Sequence, residues 1–458
     1  MDGHNLEVVQ YEGTCCANSR TLDHFCGNGS LLKRGVWSRC NKCEKKVRAN
    51  IFTSNDVPAR VYMVKYCPDC DETSTRISSD ADFYYLPKDG QACACGPGGC
   101  GPTPLGENAV TGSTLHTCTL VVEIVTDCNL QCPTCYADSP HRQPGSHGTF
   151  LSVADFKAQV ESVLDRQSVI DIIQLSGGEP TLHPQLFEII AWLGTKTGIG
   201  QVLLNSNGTR LVEEDFVAGL ATVAPKGRFG VYLQYDGDEE PGQVELRGGD
   251  FRAVRERAIA HCQKYCLPVA LVMTVTHDNK FSCGNAITRA LADDNITWVV
   301  FQPEFLSGRN DKQKLLEIPI NVADIIHSVA RGGVMDLSSW MPLPCSDPNC
   351  GTIGFLVRIN GVWQPVSKLL DLRTLAPNIA NRIDFSMNDV LSVCGCDDYD
   401  LDAYAKQFGV ARKDIKMVFI KPFMDSRTWD EARIASCCTH VLTPDGKLDS
   451  FCRYYGLK

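Results

Sequence analysis

Six apolar, strand-like runs alternate with helix-like stretches between residues 120 and 302. The runs span 120–125, 172–175, 202–205, 231–235, 269–275 and 298–302. Helix-like stretches lie between them at 152–164, 185–193, 213–220 and 251–265. Ser152 and Asp250 are the expected N-caps, since a short polar side chain there accepts from the first-turn amides. Strands separated by helices pair in parallel, because a parallel neighbour is reached only by a long crossover. The expected class is therefore α/β, a parallel sheet covered by helices. Six repeats are too few for a closed eight-fold barrel, so a partial (β/α)6 barrel is expected. Its functional loops should lie at the C-terminal ends of the strands.

The loop after the first run reads Cys128-Asn129-Leu130-Gln131-Cys132-Pro133-Thr134-Cys135. Three thiols are one short of a zinc cage. A [4Fe-4S] cluster held by three thiolates leaves one iron open to a small chelating molecule. The chain has 24 cysteines in 458 residues. Its start, Met1-Asp2-Gly3-His4-Asn5, lacks the basic and apolar regions of an export signal, so disulfides explain the cysteines poorly and metal thiolate sites explain them better. No apolar run approaches the ~20 residues needed to span a bilayer. A cytoplasmic location is expected. The formal charge is −10 with no long basic run, which argues against a nucleic-acid partner.

The strand ends carry further candidates. Leu175-Ser176-Gly177-Gly178-Glu179-Pro180-Thr181 ends the second run. Glycines there allow close backbone approach, and Glu179 can accept from an ammonium group. Asn205 and Asn207 end the third run, Asp236 the fourth and Gln302 the sixth. Before the barrel, Cys40-Asn41-Lys42-Cys43 and Cys67-Pro68-Asp69-Cys70 form two knuckles that can hold one iron or zinc. Cys93, Cys95, Cys100 and Cys118 precede the first run, and Cys345, Cys350, Cys437, Cys438 and Cys452 follow the last. Each group could hold an additional [4Fe-4S] cluster, giving one or two auxiliary clusters. Cys15, Cys16, Cys26, Cys262, Cys266, Cys283, Cys394 and Cys396 read as free thiols, which are commonly buried.

The C-x3-C-x2-C run followed by a GGE motif resembles the radical S-adenosylmethionine (SAM) superfamily. More narrowly, the chain resembles the group containing archaeal tetraether synthase and the class D radical SAM methylases that modify methanopterin. The residues that carry this include 175–184 (LSGGEPTLHP), Ser206-Asn207-Gly208, Tyr235-Asp236-Gly237, Leu246-Arg247-Gly248, Phe423-Met424-Asp425 and Cys437-Cys438 with His440. The resemblance implies that Cys128, Cys132 and Cys135 hold a SAM-binding [4Fe-4S] cluster. It implies that Gly177, Gly178 and Glu179 meet the SAM amino group. Asn205 or Asn207 would meet its ribose, and Asp236 would point to the barrel mouth. It also implies a 5′-deoxyadenosyl radical that forms a C–C bond at an unactivated carbon, by methylating a pterin-type cofactor or coupling lipid chains. A lipid substrate would entail peripheral membrane contact. The electron donor would be a ferredoxin or flavodoxin. No catalytic side chain beyond these is assigned.

One departure is plain. The group usually has a compact GCP-x-x-CGLC-x-x-H stretch before the barrel, where this chain reads Cys93-Ala94-Cys95-Gly96-Pro97-Gly98-Gly99-Cys100 with an insertion before His116. The expected plan is a rubredoxin-like metal domain at 1–90, a cysteine-rich linker at 91–117, the partial barrel at 118–315 and a C-terminal iron–sulfur domain at 316–458. Two rival readings stand beside it. One is a radical SAM peptide-modifying enzyme, whose dense C-x2-C-x5-C-x3-C run this chain lacks. The other is an electron-transfer protein, which would not need the GGE motif.

Overall fold

The computed structural model describes residues 31–84, 117–142, 148–343, 347–369, 372 and 411–456. The N-terminal part is a four-stranded antiparallel sheet of β1 (Leu31–Arg39), β2 (Lys46–Thr53), β3 (Val61–Cys67) and β4 (Asp71–Ser78) in sequence order. Along β2 the buried Val47, Ala49 and Ile51 alternate with the exposed Lys46, Arg48 and Asn50. That alternation sends one face into a small core with Val36, Val61, Met63 and Ile77.

The second sheet contains β5 (Thr119–Val125), β6 (Ile170–Gly177), β7 (Ile199–Ser206), β8 (Phe229–Gln234), β9 (Val269–Val275) and β10 (Ile296–Pro303), all parallel and in chain order. These are the six expected strands. Helices α1 (Val153–Gln167), α2 (Leu186–Gly194), α3 (Glu214–Val223), α4 (Glu240–Arg247), α5 (Arg252–Lys264) and α6 (Cys283–Leu291) alternate with them. Ser152 caps α1 as expected, accepting from Asp155 N at 3.0 Å. Asp250 does not cap α5: the cap position falls on Phe251, and the Asp250 carboxylate instead accepts from Arg252 N and Nε. The apolar residues of the helices and outer strand faces, such as Phe156, Ile189, Leu220 and Ile287, form one continuous core.

The remaining strands are β11 (Met341–Pro342), β12 (Thr352–Ile359), β13 (Val362–Pro365), β14 (Ile415–Ile420), β15 (Thr439–Leu442) and β16 (Leu448–Ser450). They do not form a separate sheet. β14 pairs in parallel with β10, and β15 pairs in parallel with β5. Eight parallel strands therefore run in the order β15-β5-β6-β7-β8-β9-β10-β14, with antiparallel strands outside them. Thr439 of β15 and Phe419 of β14, from opposite ends of this row, line one cavity. The sheet is thus curled into a barrel. No hydrogen-bonded ladder joins β14 to β15 among the described residues, but Lys421 Nζ donates to Thr439 Oγ1 at 3.1 Å across the seam.

The segment from 421 to 438 bridges that seam, and the N-terminal sheet docks on it. Ser38 Oγ donates to Trp429 O at 2.6 Å. The buried Lys65 ammonium donates to Asn41 Oδ1 (2.8 Å), Arg427 O (2.9 Å) and Ser426 O. No helix among the described residues is long and apolar enough to cross a membrane.

Candidate active site and metal centres

The barrel encloses a cavity of about 230 Å³. Its wall is built by the inward-facing residues of the strands, which the period of two sends to one side. Cys128, Cys132 and Cys135 all line it, as do Gly177, Gly178, Glu179, Asn205 and Asn207. The triplet and the GGE motif, predicted from different strands, thus meet at one site.

The cysteine loop is held from several directions. Cys128 N donates to Pro140 O (2.9 Å) and Arg142 N to Cys128 O (2.7 Å). Arg142 closes the loop by pairing with Asp127. The segment after β10 clamps it: Arg309 donates to Cys132 O at 3.0 Å and Ser139 O at 2.5 Å, and Asn310 Nδ2 to Thr134 O at 3.2 Å. Gly308, at φ 59°, lies so near the carbonyls of Cys135 and Tyr136 that a Cβ would overlap them. Leu130 N and Asn207 Nδ2 point at Cys128 Sγ, at 3.4 and 3.8 Å. The three sulfurs are not gathered within 4.8 Å of one another, unlike those of the N-terminal knuckles. Wide spacing, N–H donors on sulfur and an open cavity fit a multi-iron cluster with a vacant coordination position.

At the GGE motif, Gly178 N donates to Val125 O (2.8 Å) and Glu179 N to Asp127 O (3.1 Å). A side chain at Gly177 (φ 119°) or Gly178 would strike that main chain. Glu179 is buried, and its carboxylate accepts from Thr181 N and Oγ1, Ser206 Oγ and Asn207 N at 2.7–3.1 Å. Burial pushes its carboxyl above the usual range despite those donors. Its main role is to fix the end of β7. Asn207 in turn faces the cysteine loop: Nδ2 donates to Asn129 Oδ1 at 2.8 Å and Oδ1 accepts from Thr209. Asn205 Nδ2 donates to Ser176 Oγ (3.3 Å), while its Oδ1 is shielded from solvent and has no partner among the described residues. That orphan acceptor suits a ligand hydroxyl.

Asp236 is buried at φ 60° and does not itself line the cavity. It holds Arg247, which does, through bonds of 2.6 and 2.9 Å. Burial would raise the Asp236 carboxyl, but Arg247 beside it wins and holds it below the usual range. Sequence reasoning found the acid and missed the role of the arginine. The signal available was Arg247 ahead of the left-handed Gly248 that ends α4. Lys421 was missed entirely.

In the N-terminal sheet, Cys40, Cys43, Cys67 and Cys70 place their sulfurs within 4.8 Å of one another. Cys43 and Cys67 sulfurs are 3.7 Å apart. A tetrahedral Zn–S bond of ~2.3 Å gives an edge of ~3.8 Å, so the site fits a single ion. Near β15, the half-buried Cys350 and Cys437 and the buried Cys452 lie in one another's electrostatic reach, together with Lys421. Arg433 Nη2 donates to Cys350 Sγ at 3.5 Å, and Met424 N to Cys452 Sγ at 3.4 Å. Cys438 and Cys118 instead pack with Ile172 and Leu203 in the inner barrel core. Cys93, Cys95, Cys100, Cys345, Cys394, Cys396 and His116 lie outside the described residues.

Residues 122–281 match the Radical SAM superfamily, and residues 33–79 match the HMPTM N-terminal zinc ribbon domain. The chain is a radical SAM enzyme with an N-terminal zinc ribbon, and the superfamily implies a [4Fe-4S] cluster and SAM. It is similar to the 7,8-dihydro-6-hydroxymethylpterin dimethyltransferase of Methanocaldococcus jannaschii, at 25% identity over 92% of this chain and 93% of that one. It is also similar to the GTP 3′,8-cyclase of Actinobacillus pleuropneumoniae, at 33% identity over 19% of this chain and 25% of the cyclase. Among solved structures, Streptococcus suis SuiB bound to S-adenosylmethionine aligns at 14% identity, with a TM-score of 0.34, over 42% of this chain and 41% of SuiB.

Proposed function

We propose that this enzyme C-methylates a pterin-type small molecule in the cytoplasm. One observation carries the reading: similarity to a pterin dimethyltransferase runs nearly end to end in both chains, ribbon included, whereas similarity to the GTP cyclase stops at a quarter of its length. The cavity supports it. Uncharged polar side chains such as Gln174, Gln234, Thr274 and Gln302 line its wall beside Tyr232 and Trp298. A flat heterocycle with polar edges suits that combination of aromatic faces and amide side chains. Its lining cations among the described residues are Arg247, engaged by Asp236, and Lys421, too few for a triphosphate.

In this reading Cys128, Cys132 and Cys135 hold the SAM-binding cluster. The Gly177–Gly178 backbone meets the SAM ammonium, and Asn205 Oδ1 accepts from the ribose. Bound there, the cluster and SAM would supply 5′-deoxyadenosyl radical chemistry able to take a hydrogen atom from a substrate carbon. Tyr136, packed edge-on against Tyr455 at 4.9 Å, closes one side of the cavity and limits water there. Cys40, Cys43, Cys67 and Cys70 hold zinc. An auxiliary cluster takes Cys345, Cys350, Cys437 and Cys452, with Cys438 left in the core. A ferredoxin or flavodoxin supplies the electron.

The test is anaerobic turnover of 7,8-dihydro-6-hydroxymethylpterin deuterated on carbon. Deuterium should enter 5′-deoxyadenosine while the pterin gains methyl groups on carbon. A product altered only at nitrogen, oxygen or sulfur would refute the reading.

A further inference from the structure

Three glutamines from alternate strands face the cavity: Gln174 of β6, Gln234 of β8 and Gln302 of β10. Their amides are not equivalent. Gln234 Nε2 donates to Asp236 Oδ1 at 2.7 Å and to Thr274 Oγ1 at 3.3 Å. Asp236 is ion-paired with Arg247 and therefore only accepts, so the amide cannot be turned round. Its Oε1 is left as the free end. Gln302 Nε2 donates to Tyr232 Oη at 3.0 Å; a phenol hydroxyl donates as well as accepts, so this amide can turn to present either end. Gln174 has neither end bonded among the described residues. The cavity wall thus presents one anchored acceptor, Gln234, and two amides free to donate or accept.

A pterin ring carries the complementary edge. Its 2-amino group and N3–H donate, and its C4 carbonyl accepts. Trp298 and Phe419, with ring centres 5.4 Å apart, offer apolar faces beside that band. Resting on the pterin reading above, we propose that Gln234 and Gln302 accept from the 2-amino group and N3–H, and that Gln174 meets the C4 carbonyl. These three are positioning and specificity residues, distinct from the SAM contacts at Gly177, Gly178 and Asn205. The anchoring of Gln234 matters because an acceptor held in place loses little conformational freedom on binding.

The experiment measures dissociation constants by pterin fluorescence with full-length enzyme, anaerobically reconstituted and saturated with SAM. The probes are 7,8-dihydro-6-hydroxymethylpterin and its analogue with oxygen in place of the 2-amino group. The variants are Gln174→Leu, Gln234→Leu and Gln302→Leu, with iron content and SAM binding as folding controls. Wild type should prefer the 2-amino ligand by about tenfold, the scale of one hydrogen bond lost with a partner left bare. That preference should collapse in Gln234→Leu or Gln302→Leu, whichever faces the amino group. Gln174→Leu should weaken both ligands about equally. Gln302→Leu leaves Asp236 untouched, so it keeps the test alive if Gln234→Leu misfolds. If wild type binds the pterin and every folded variant keeps its preference and affinity, the glutamine assignment falls and the pterin reading stands. If wild type binds neither ligand, the pterin reading falls and takes this assignment with it.

Discussion

Arg247 illustrates how a candidate ligand can act through a neighbour. Asp236, two residues past the end of β8, is in a left-handed conformation and pairs with Arg247 at the cavity wall. Replacing Arg247 with Met would leave a buried carboxylate without its partner. The expected cost is about 3–5 kcal/mol, read by denaturant melting. Asp236→Asn in the Arg247→Met background should restore part of that loss, and no restoration would mean that the charge is not what matters. Glu179 makes a similar point. Its carboxylate receives Asn207 N and three other donors, so Glu179→Gln places an amide donor against donors. A loss of about 1–3 kcal/mol is expected, together with weaker SAM binding by equilibrium dialysis. The sequence made the acids at the strand ends legible, because position and residue type are enough to place a polar group near a site. It did not reveal that both are engaged by their own chain, since that depends on contacts between residues 236 and 247, or 179 and 207.

At the level of elements, the parallel strands were legible because their apolar runs are continuous and bounded by glycine and proline. The 172–175 run grew into β6, Ile170–Gly177, through pairing with β5 and β7 on either side. β14 and β15 were not legible as barrel strands. β15 is only four residues long, and the choice of β10 and β5 as partners rests on where the chain returns in space. The clamp after β10 was hidden for the same reason, although Gly308 and Arg309 are plain in the sequence. Gly308→Ala would force a Cβ against the Cys135 and Tyr136 carbonyls at φ 59°. Strain of about 1–3 kcal/mol is expected, released by moving the cysteine loop. Iron and sulfide analysis should then show loss of one cluster, with the ribbon metal retained. Full iron content in Gly308→Ala would show that the clamp does not set the loop.

At the scale of the whole molecule, the ribbon and the barrel are locked through the segment that crosses the barrel seam. Lys65 sits on β3 of the ribbon, fully buried, with its three donors on Asn41 Oδ1, Ser426 O and Arg427 O. Ser38 adds a bond to Trp429 O, and Trp429 is itself buried. The same segment begins with Lys421 at the cavity wall and ends beside Cys437. Lys65→Met keeps the length and apolar stem of the side chain but leaves two buried carbonyls and an amide oxygen without donors. Each such loss costs about 1–3 kcal/mol, so the seam should loosen before the barrel does. Hydrogen exchange followed by mass spectrometry should show faster exchange across residues 425–438, with β6 to β9 unchanged. If the four knuckle thiolates hold the proposed metal, removing it with a chelator should have the same effect on 425–438, because metal-binding energy would add to the ribbon's folding energy. Faster exchange confined to the ribbon in both cases would mean that the two parts are merely adjacent. Matched acceleration in 425–438 would mean that the ribbon holds the barrel's seam shut.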